Sequence, residues 1–251
     1  MKESNQVVLV TGGGRGIGAE ISRLAAARGY AVCVNYAKAA APAEAMVEEI
    51  RAAGGRAFAH RADVSNEDEV EAMFTALERE LGPPTALVNN GGLTGRSSRL
   101  DEAKGADMQR VMDVNVMGVI YCARAAVRRM STRHGGRGGV IVNISSVAAT
   151  LGSPGEYTWY AASKGAVDSF TIGLAKEVAR EGIRVNAVAP GMTETEIHAS
   201  SGDAGRLERL GKTTPLGRHA QPEEIAWPVL WLMSEEARYM TGEIIRVGGG
   251  R

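Results

Sequence analysis

Cysteine is almost missing from this chain: Cys33 and Cys122 are the only two among 251 residues. They stand far apart and outside any CxxC or Cys/His cluster, which excludes a disulfide framework and a thiolate zinc site and is expected of a reducing compartment. Cys33 falls in a strand-like run and reads as a small buried apolar residue. An excess of one charge is missing too. Lysine plus arginine total 29, and aspartate plus glutamate also total 29, so no basic field recruits nucleic acid or an acidic membrane surface. No apolar run approaches membrane-spanning length. The opening Met1-Lys2-Glu3-Ser4-Asn5-Gln6 is too polar for a secretory signal. There is no repeat, no linker and no second core. The expectation is one cytoplasmic domain over residues 1–251, large for a single domain but normal for an open α/β sheet.

Strand-like and helix-like segments alternate throughout, which predicts an α/β fold with a parallel sheet covered by helices on both faces. Val7–Val10 is a short apolar run of the kind buried on both sides. Ala31–Asn35 predicts a second strand and Ala43–Ala53 its helix, ended by Gly54-Gly55. Arg56–His60 leads into Ala62-Asp63-Val64, Glu67–Leu81 is amphipathic, and Ala86–Asn89 is a fourth strand. Met108–Arg133 is expected as one long helix weakened at Gly118. Val140–Ile144 and Arg184–Ala189 are further strands on either side of a helix over Tyr160–Arg180. Met192–Gly217 is the least regular stretch and is expected to cover a site.

Directly after the first strand comes Thr11-Gly12-Gly13-Gly14-Arg15-Gly16-Ile17-Gly18, followed by a helical pattern through Ile21, Leu24, Ala25 and Ala26. Strand, glycine-rich turn and helix in that order present backbone N–H groups and a positive helix end to a pyrophosphate. Glycine is needed because the chain turns sharply and a β-carbon would hold phosphates away. A tight turn without a ligand is the plainer account, but the flanking strand and helix are those a nucleotide site requires. A G-x-G-x-x-A match starting at Gly14 is incidental.

Tyr160 and Lys164 stand one helical turn apart, so both heads can converge on one reacting atom. A tyrosine titrates near pH ~10 in water, and a neighbouring cation favours the phenolate. Bringing the phenol near neutrality needs about 4 kcal/mol of such stabilisation, at roughly 1.4 kcal/mol per pH unit. Tyr157 has Ala161 four residues on and no charge to tune it. Ser145-Ser146 follow a strand at the end where open α/β sheets place ligands, and a hydroxyl there can donate to a carbonyl oxygen that gathers charge.

TGxxxGxG at Thr11–Gly18, Asn89-Asn90-Gly91-Gly92 and the Tyr160/Lys164 pair together resemble the short-chain dehydrogenase/reductase family in its compact branch, from Val7 to Gly250. Oxoacyl-carrier-protein reductases and sugar dehydrogenases are the members it looks most like. The resemblance implies a single-domain Rossmann-type doubly wound parallel sheet of seven strands. It implies a catalytic set of Asn115, Ser146, Tyr160 and Lys164, with Ser146 preferred to Ser145 because Ser146-Val147-Ala148-Ala149 matches the family segment best. Asn115 would help to hold a water beside Lys164. Cofactor contacts are implied at Thr11, Gly12, Gly14, Arg15, Gly16, Ile17 and Gly18, at Asn35, Tyr36 and Lys38, at Asp63 and Val64 about the adenine, and at Asn90, Gly91 and Gly92. Tyr160, Lys164, Pro190, Gly191 and Thr193 complete that set on the nicotinamide side. Two positions depart from the family pattern: Gly91 replaces an alanine, and Gly248 replaces the aspartate of a C-terminal Asp-Gly-Gly.

No acid follows the second strand before Glu44, while Arg15 and Lys38 can meet a 2′-phosphate, so NADP(H) is favoured over NAD(H). The expected activity is NADP(H)-dependent reduction of a ketone or 3-oxoacyl carbonyl to a secondary alcohol, with no metal. Oxidation of a sugar at C1 is the enzyme alternative, and a non-catalytic NADP(H)-binding sensor is the other. Arg128, Arg129, Arg133 and Lys176 can offer a basic face to an acyl carrier, although such residues are also ordinary solvated helix positions. His198 reads as a lid or surface residue rather than a catalyst, and the Thr, Ser, His198 and Asp203 of the Met192–Gly217 stretch suit either a polar sugar or a small oxo compound. By resemblance the chain forms a homo-oligomer, a tetramer as the usual state, through its long central helices and the Trp227–Val247 end.

Overall fold

Val7–Val10 forms β1, and all four of its residues are buried. Val8 and Val10 point into one apolar layer and Val7 and Leu9 into the other, which is why the run carries no polar alternation. In the computed structural model, which describes residues 6–195 and 205–251, β1 is an inner strand of a seven-stranded parallel sheet. The other strands are β2 (Ala31–Tyr36), β3 (Ala57–Arg61), β4 (Ala86–Asn89), β5 (Gly139–Ile144), β6 (Ile183–Pro190) and β7 (Ile244–Val247). Their order across the sheet is β3-β2-β1-β4-β5-β6-β7. This is the doubly wound α/β sheet that the alternation predicts.

Helices cover both faces. On one lie α1 (Gly16–Ala27), α2 (Ala40–Ala52) and α9 (Pro222–Met233), which contribute Ile21, Met46, Val47, Ile225 and Leu230 to the core. On the other lie α3 (Glu67–Glu80), α5 (Gly118–Met130) and α7 (Thr158–Val178), with Phe74, Leu77, Ala126 and Val178 inside. Shorter helices are α4 (Gly105–Met112), α6 (Ala148–Leu151) and α8 (Arg206–Gly211). Because β1 pairs with β2 on one side and β4 on the other, the winding reverses between β1 and β4. That reversal leaves a crevice at the carboxyl ends of the strands.

Local chemistry sets the helix starts. The Asn66 side chain accepts from the Asp68 and Glu69 amides at the head of α3, and acids fill its first turn. The sequence reading assigns no element to Pro222–Met233, yet Gln221 and Glu224 form a capping box there with proline at the start. The helix α2 opens at Ala40 rather than Ala43, since Pro42 is tolerated in a first turn.

Met108–Arg133 is not one α-helix. The chain runs α4, then a π-helical turn over Asp113–Met117, then α5 ending at Met130. Gly118 is not a weak point but a close approach: a Cβ there would lie 2.7 Å from Val64 Cγ2. Gly118→Val should therefore overpack this contact and lower the unfolding free energy by about 1–3 kcal/mol in urea titration; an unchanged midpoint would contradict the packing described.

Candidate active site

Past β1 the chain turns through Gly12 at φ +61 and Gly16 at φ +51, a region glycine enters without steric cost. Gly18 lies under the turn, where a Cβ would come within 2.3 Å of the Gly12 carbonyl oxygen. Thr11 Oγ1 accepts from the Asn90 and Gly91 amides, each at 2.9 Å, and so ties the end of β1 to the end of β4. Asn35 Oδ1 accepts from Gly12 N at 3.3 Å while its Nδ2 donates to Ala62 O at 3.0 Å. Thr11 and Gly18 thus shape the loop from beneath, and Asn35 directs its amide into the sheet. The helix α1 begins at Gly16 with no side-chain cap, which leaves its first amides and positive dipole end for an anion.

A cleft of roughly 1060 Å³ opens above this loop. Gly12, Gly14, Arg15, Gly16 and Ile17 line its floor, with Tyr36, Lys38, Asp63 and Val64 at one end. Asn90, Gly91 and Gly92 form the middle, and Ser146, Tyr160, Lys164, Pro190, Gly191 and Thr193 the rest. The cleft is also lined by residues the sequence does not single out, among them Leu93, Thr94, Arg110 and Arg251. Arg110 had a readable partner only in three dimensions: its guanidinium donates to Asp63 Oδ2 and Ser65 Oγ, both at 2.7 Å. Burial works against the Asp63 charge, but the bonds from Ser65 and Arg110 prevail and hold its carboxyl below the usual value.

At the catalytic end, Lys164 is only 4% exposed. Its ammonium donates to the Ile144 carbonyl at 2.7 Å and sits 5.8 Å from the centroid of the Tyr160 ring. Burial lowers the lysine to about 8, against the pull of Asp168 one turn further along α7. That value still leaves the ammonium as the main form at pH 7. Both serines line the cleft; the Ser146 hydroxyl accepts from the Ala148 amide at 3.1 Å, whereas the more deeply buried Ser145 donates its hydroxyl to Lys164 O at 3.4 Å. Tyr157 is buried edge-on to Tyr160, with ring centroids 5.5 Å apart.

Asn115 lies in the π-helical turn and is fully buried. Its Oδ1 accepts from Leu93 N at 2.9 Å, and its Nδ2 donates to Leu93 O at 2.8 Å and to Ser163 Oγ at 3.0 Å. The wide turn carries this side chain to the strand-end loop without breaking the helix. Gly92 is pressed against the same group, since a Cβ would meet Asn115 Oδ1 at 3.2 Å and Lys164 Nζ at 3.5 Å.

Both departures from the family pattern have local accounts. A Cβ on Gly91 would meet Thr11 Oγ1 at 3.3 Å, so the alanine of relatives needs only a small adjustment. A Cβ on Gly248 would lie 2.9 Å from Arg251 O and 3.0 Å from Val147 Cγ1, and Gly191 packs directly on the bare Gly248 backbone. An aspartate would not fit this C-terminal path.

The residues of the expected basic face sit in surface ion pairs, apart from Lys176, which is exposed on α7. Arg128 pairs with Glu71, Arg129 with Glu71 and Glu78, and Arg133 lies 3.9 Å from Glu181. The first two tie α5 to α3 instead of facing a partner. His198 and Asp203 lie outside the described residues.

A family model described as enoyl-(acyl carrier protein) reductase matches residues 12–251. The uncharacterized oxidoreductase YgfF of Escherichia coli (strain K12) is 48% identical over 245 residues, 98% of this chain and 99% of that one. A 3-oxoacyl-[acyl-carrier-protein] reductase of Synechocystis sp. is 41% identical over 246 residues, 98% and 96% of the two chains. The crystal structure of a short chain dehydrogenase from Burkholderia cenocepacia J2315 in complex with NADP superposes with a TM-score of 0.91 at 32% identity, covering 100% of this chain and 99% of that one.

Burial of Lys164 predicts a pH signature. Its folded value of about 8 lies below the ordinary lysine value of 10.5, so the unfolded chain holds the proton more tightly between those limits. The stability this group contributes is full above the unfolded value and is lost as pH falls through the folded one. Relative to Lys164→Met, the wild-type chain should gain about 3 kcal/mol of unfolding free energy as pH rises from 8 to above 10. Urea titrations of both proteins across that range check this, and a flat difference would contradict the buried ammonium.

Proposed function

The chain belongs to the short-chain dehydrogenase/reductase family, and from that premise we propose that it is an NADP(H)-dependent reductase that converts a ketone or 3-oxoacyl carbonyl to a secondary alcohol. One observation carries the reading: the Tyr160 phenol stands beside a buried ammonium in a cleft that Ser146 also lines. The cleft fits a dinucleotide, because the helix start beneath it is uncapped and the positive-φ turn at Gly12 and Gly16 keeps side chains away from the floor. Gly12, Gly14, Gly16 and Ile17 would hold the pyrophosphate, Arg15 the 2′-phosphate, Asp63 and Val64 the adenine, and Asn90, Gly91 and Gly92 the stretch between. Pro190, Gly191 and Thr193 would meet the nicotinamide amide. When bound, the cofactor supplies the hydride equivalent of the reduction.

The chain's own residues handle the proton and the charge. Tyr160 donates its phenolic proton to the carbonyl oxygen as general acid. Ser146 donates a hydrogen bond to the same oxygen as it gathers charge. Lys164 sets a cation beside the phenol, which favours the phenolate over the neutral form. Asn115 braces Leu93 and so keeps Gly92 against the lysine, which supports a role at the site without requiring direct contact with substrate.

Arg15 and Lys38 both line the adenosine end, and no carboxylate follows β2 there, which supports NADP(H). The Burkholderia cenocepacia relative with NADP points the same way. The Synechocystis reductase supports a 3-oxoacyl substrate. Met192, Thr195 and Leu210, described parts of the 192–217 stretch that line the cleft, support its role in covering the substrate, and the whole chain would act as one domain in the cytoplasm. Trp227 and Trp231, exposed on α9, and the position of β7 at the sheet edge support self-association up to the tetramer that the resemblance implies.

Tyr160→Phe should lower turnover by about 10²–10⁴-fold while NADPH affinity, measured by fluorescence titration, stays near wild type. Turnover at the wild-type rate would remove Tyr160 from the mechanism. Arg15→Ala should cut kcat/KM for NADPH by about 10–100-fold, the worth of one charge-assisted bond, with little change for NADH. An equal loss with both cofactors would show that Arg15 does not read the 2′-phosphate.

A further inference from the structure

Leu93 and Thr94 line the cleft just beyond the Asn90–Gly92 turn, and the loop they begin is tied down at three places. Asn115 grips both the N–H and the carbonyl of Leu93. Trp159 Nε1 donates to the Thr94 carbonyl at 3.1 Å. Further on, Ser98 N donates to Glu156 O at 2.7 Å. The last two ties end on the catalytic helix α7 and on the chain that leads into it, so the loop is indexed to the element that carries Tyr160.

Trp159 is suited to this task. It is 7% exposed and packs with Val111 and Tyr157 in a small apolar cluster apart from the two main layers. Its indole is a donor only, and two side-chain torsions leave it little freedom once buried. The Thr94 carbonyl it serves belongs to a buried residue, so the bond cannot be exchanged for water without opening the cluster. Gly95 shows how closely the parts fit. At φ +74, a Cβ there would stand 3.3 Å from Val111 Cγ2 and 3.4 Å from Trp159 Nε1. None of these ties touches the phosphate loop or the adenine end.

We propose that Trp159 is a positioning residue that sets the Leu93–Ser98 wall against Tyr160 and thereby governs how the carbonyl substrate, rather than the cofactor, is held. The proposal rests on the carbonyl-reductase reading for its kinetic consequence, but not for its structural one. Trp159→Phe keeps an aromatic ring and removes the N–H. In the full chain without substrate, amide exchange across residues 93–98 should become faster, while exchange over 144–152 stays as in wild type. With substrate, KM for the carbonyl should rise about tenfold, the cost of one buried bond left unmade. Turnover at saturation should fall much less, and NADPH affinity should not move. Gly95→Ala, which keeps the indole but crowds it, should raise the same KM.

Unchanged exchange over 93–98 in Trp159→Phe overturns the proposal. So does a loss shared equally by KM, turnover and NADPH affinity, which would mark a general folding defect. If wild-type protein reduces no carbonyl at all, the functional reading fails by itself. The exchange measurement then still decides whether Trp159 holds this wall.

Discussion

A lysine ammonium taken out of water must be met by oxygen or the fold loses several kcal/mol, and the geometry around Lys164 follows from that constraint. The strand β5 ends so that the Ile144 carbonyl receives Nζ at 2.7 Å. Gly92 lacks a side chain where one would crowd Asn115 Oδ1, whose side chain fills the volume beside the lysine head. Asp168 lies on the same helix and opposes the effect of burial on the lysine. The consequence is a charge kept in a dry place beside a phenol, which is the arrangement proton transfer at neutral pH requires.

The sheet puts that charge where a dinucleotide can reach it. The turn after β1 and the turn after β4 are adjacent because the winding reverses between them, and Thr11 bonds one turn to the other. The catalytic helix arrives from beyond β5, and the π-helical turn at Asp113–Met117 brings Asn115 across to the same strand ends. Four separate pieces of chain therefore meet around a single cleft, and each is anchored by backbone or buried side-chain bonds rather than by surface ion pairs.

Much of this was legible in the sequence, and the limits are physical. Alternation and β-branched runs locate the sheet because strands buried on both sides tolerate little else, and the glycine loop and the Tyr160/Lys164 spacing are local patterns. The π-helical turn has no such pattern; its cause is tertiary, the reach of Asn115 to Leu93. The role of Gly118 was invisible for the same reason, since helix propensity says nothing of Val64. Arg110 joins Asp63 from 47 residues away, and Trp159 meets Thr94 across 65; spacing rules do not extend that far. The arginines of α5 looked available in one dimension and are paired in three. By contrast, the capping box and proline that start α9 were readable signals.

The account stands or falls on whether this cleft performs hydride chemistry with the phosphorylated cofactor. The direct measurement is cofactor absorbance with purified protein, NADPH and NADH in parallel, against ketones, diketones and oxoacyl thioesters, and with aldoses in reverse. The account predicts consumption of NADPH well above NADH on one carbonyl class. Measurable NADPH binding with no turnover on any substrate of the panel would contradict it.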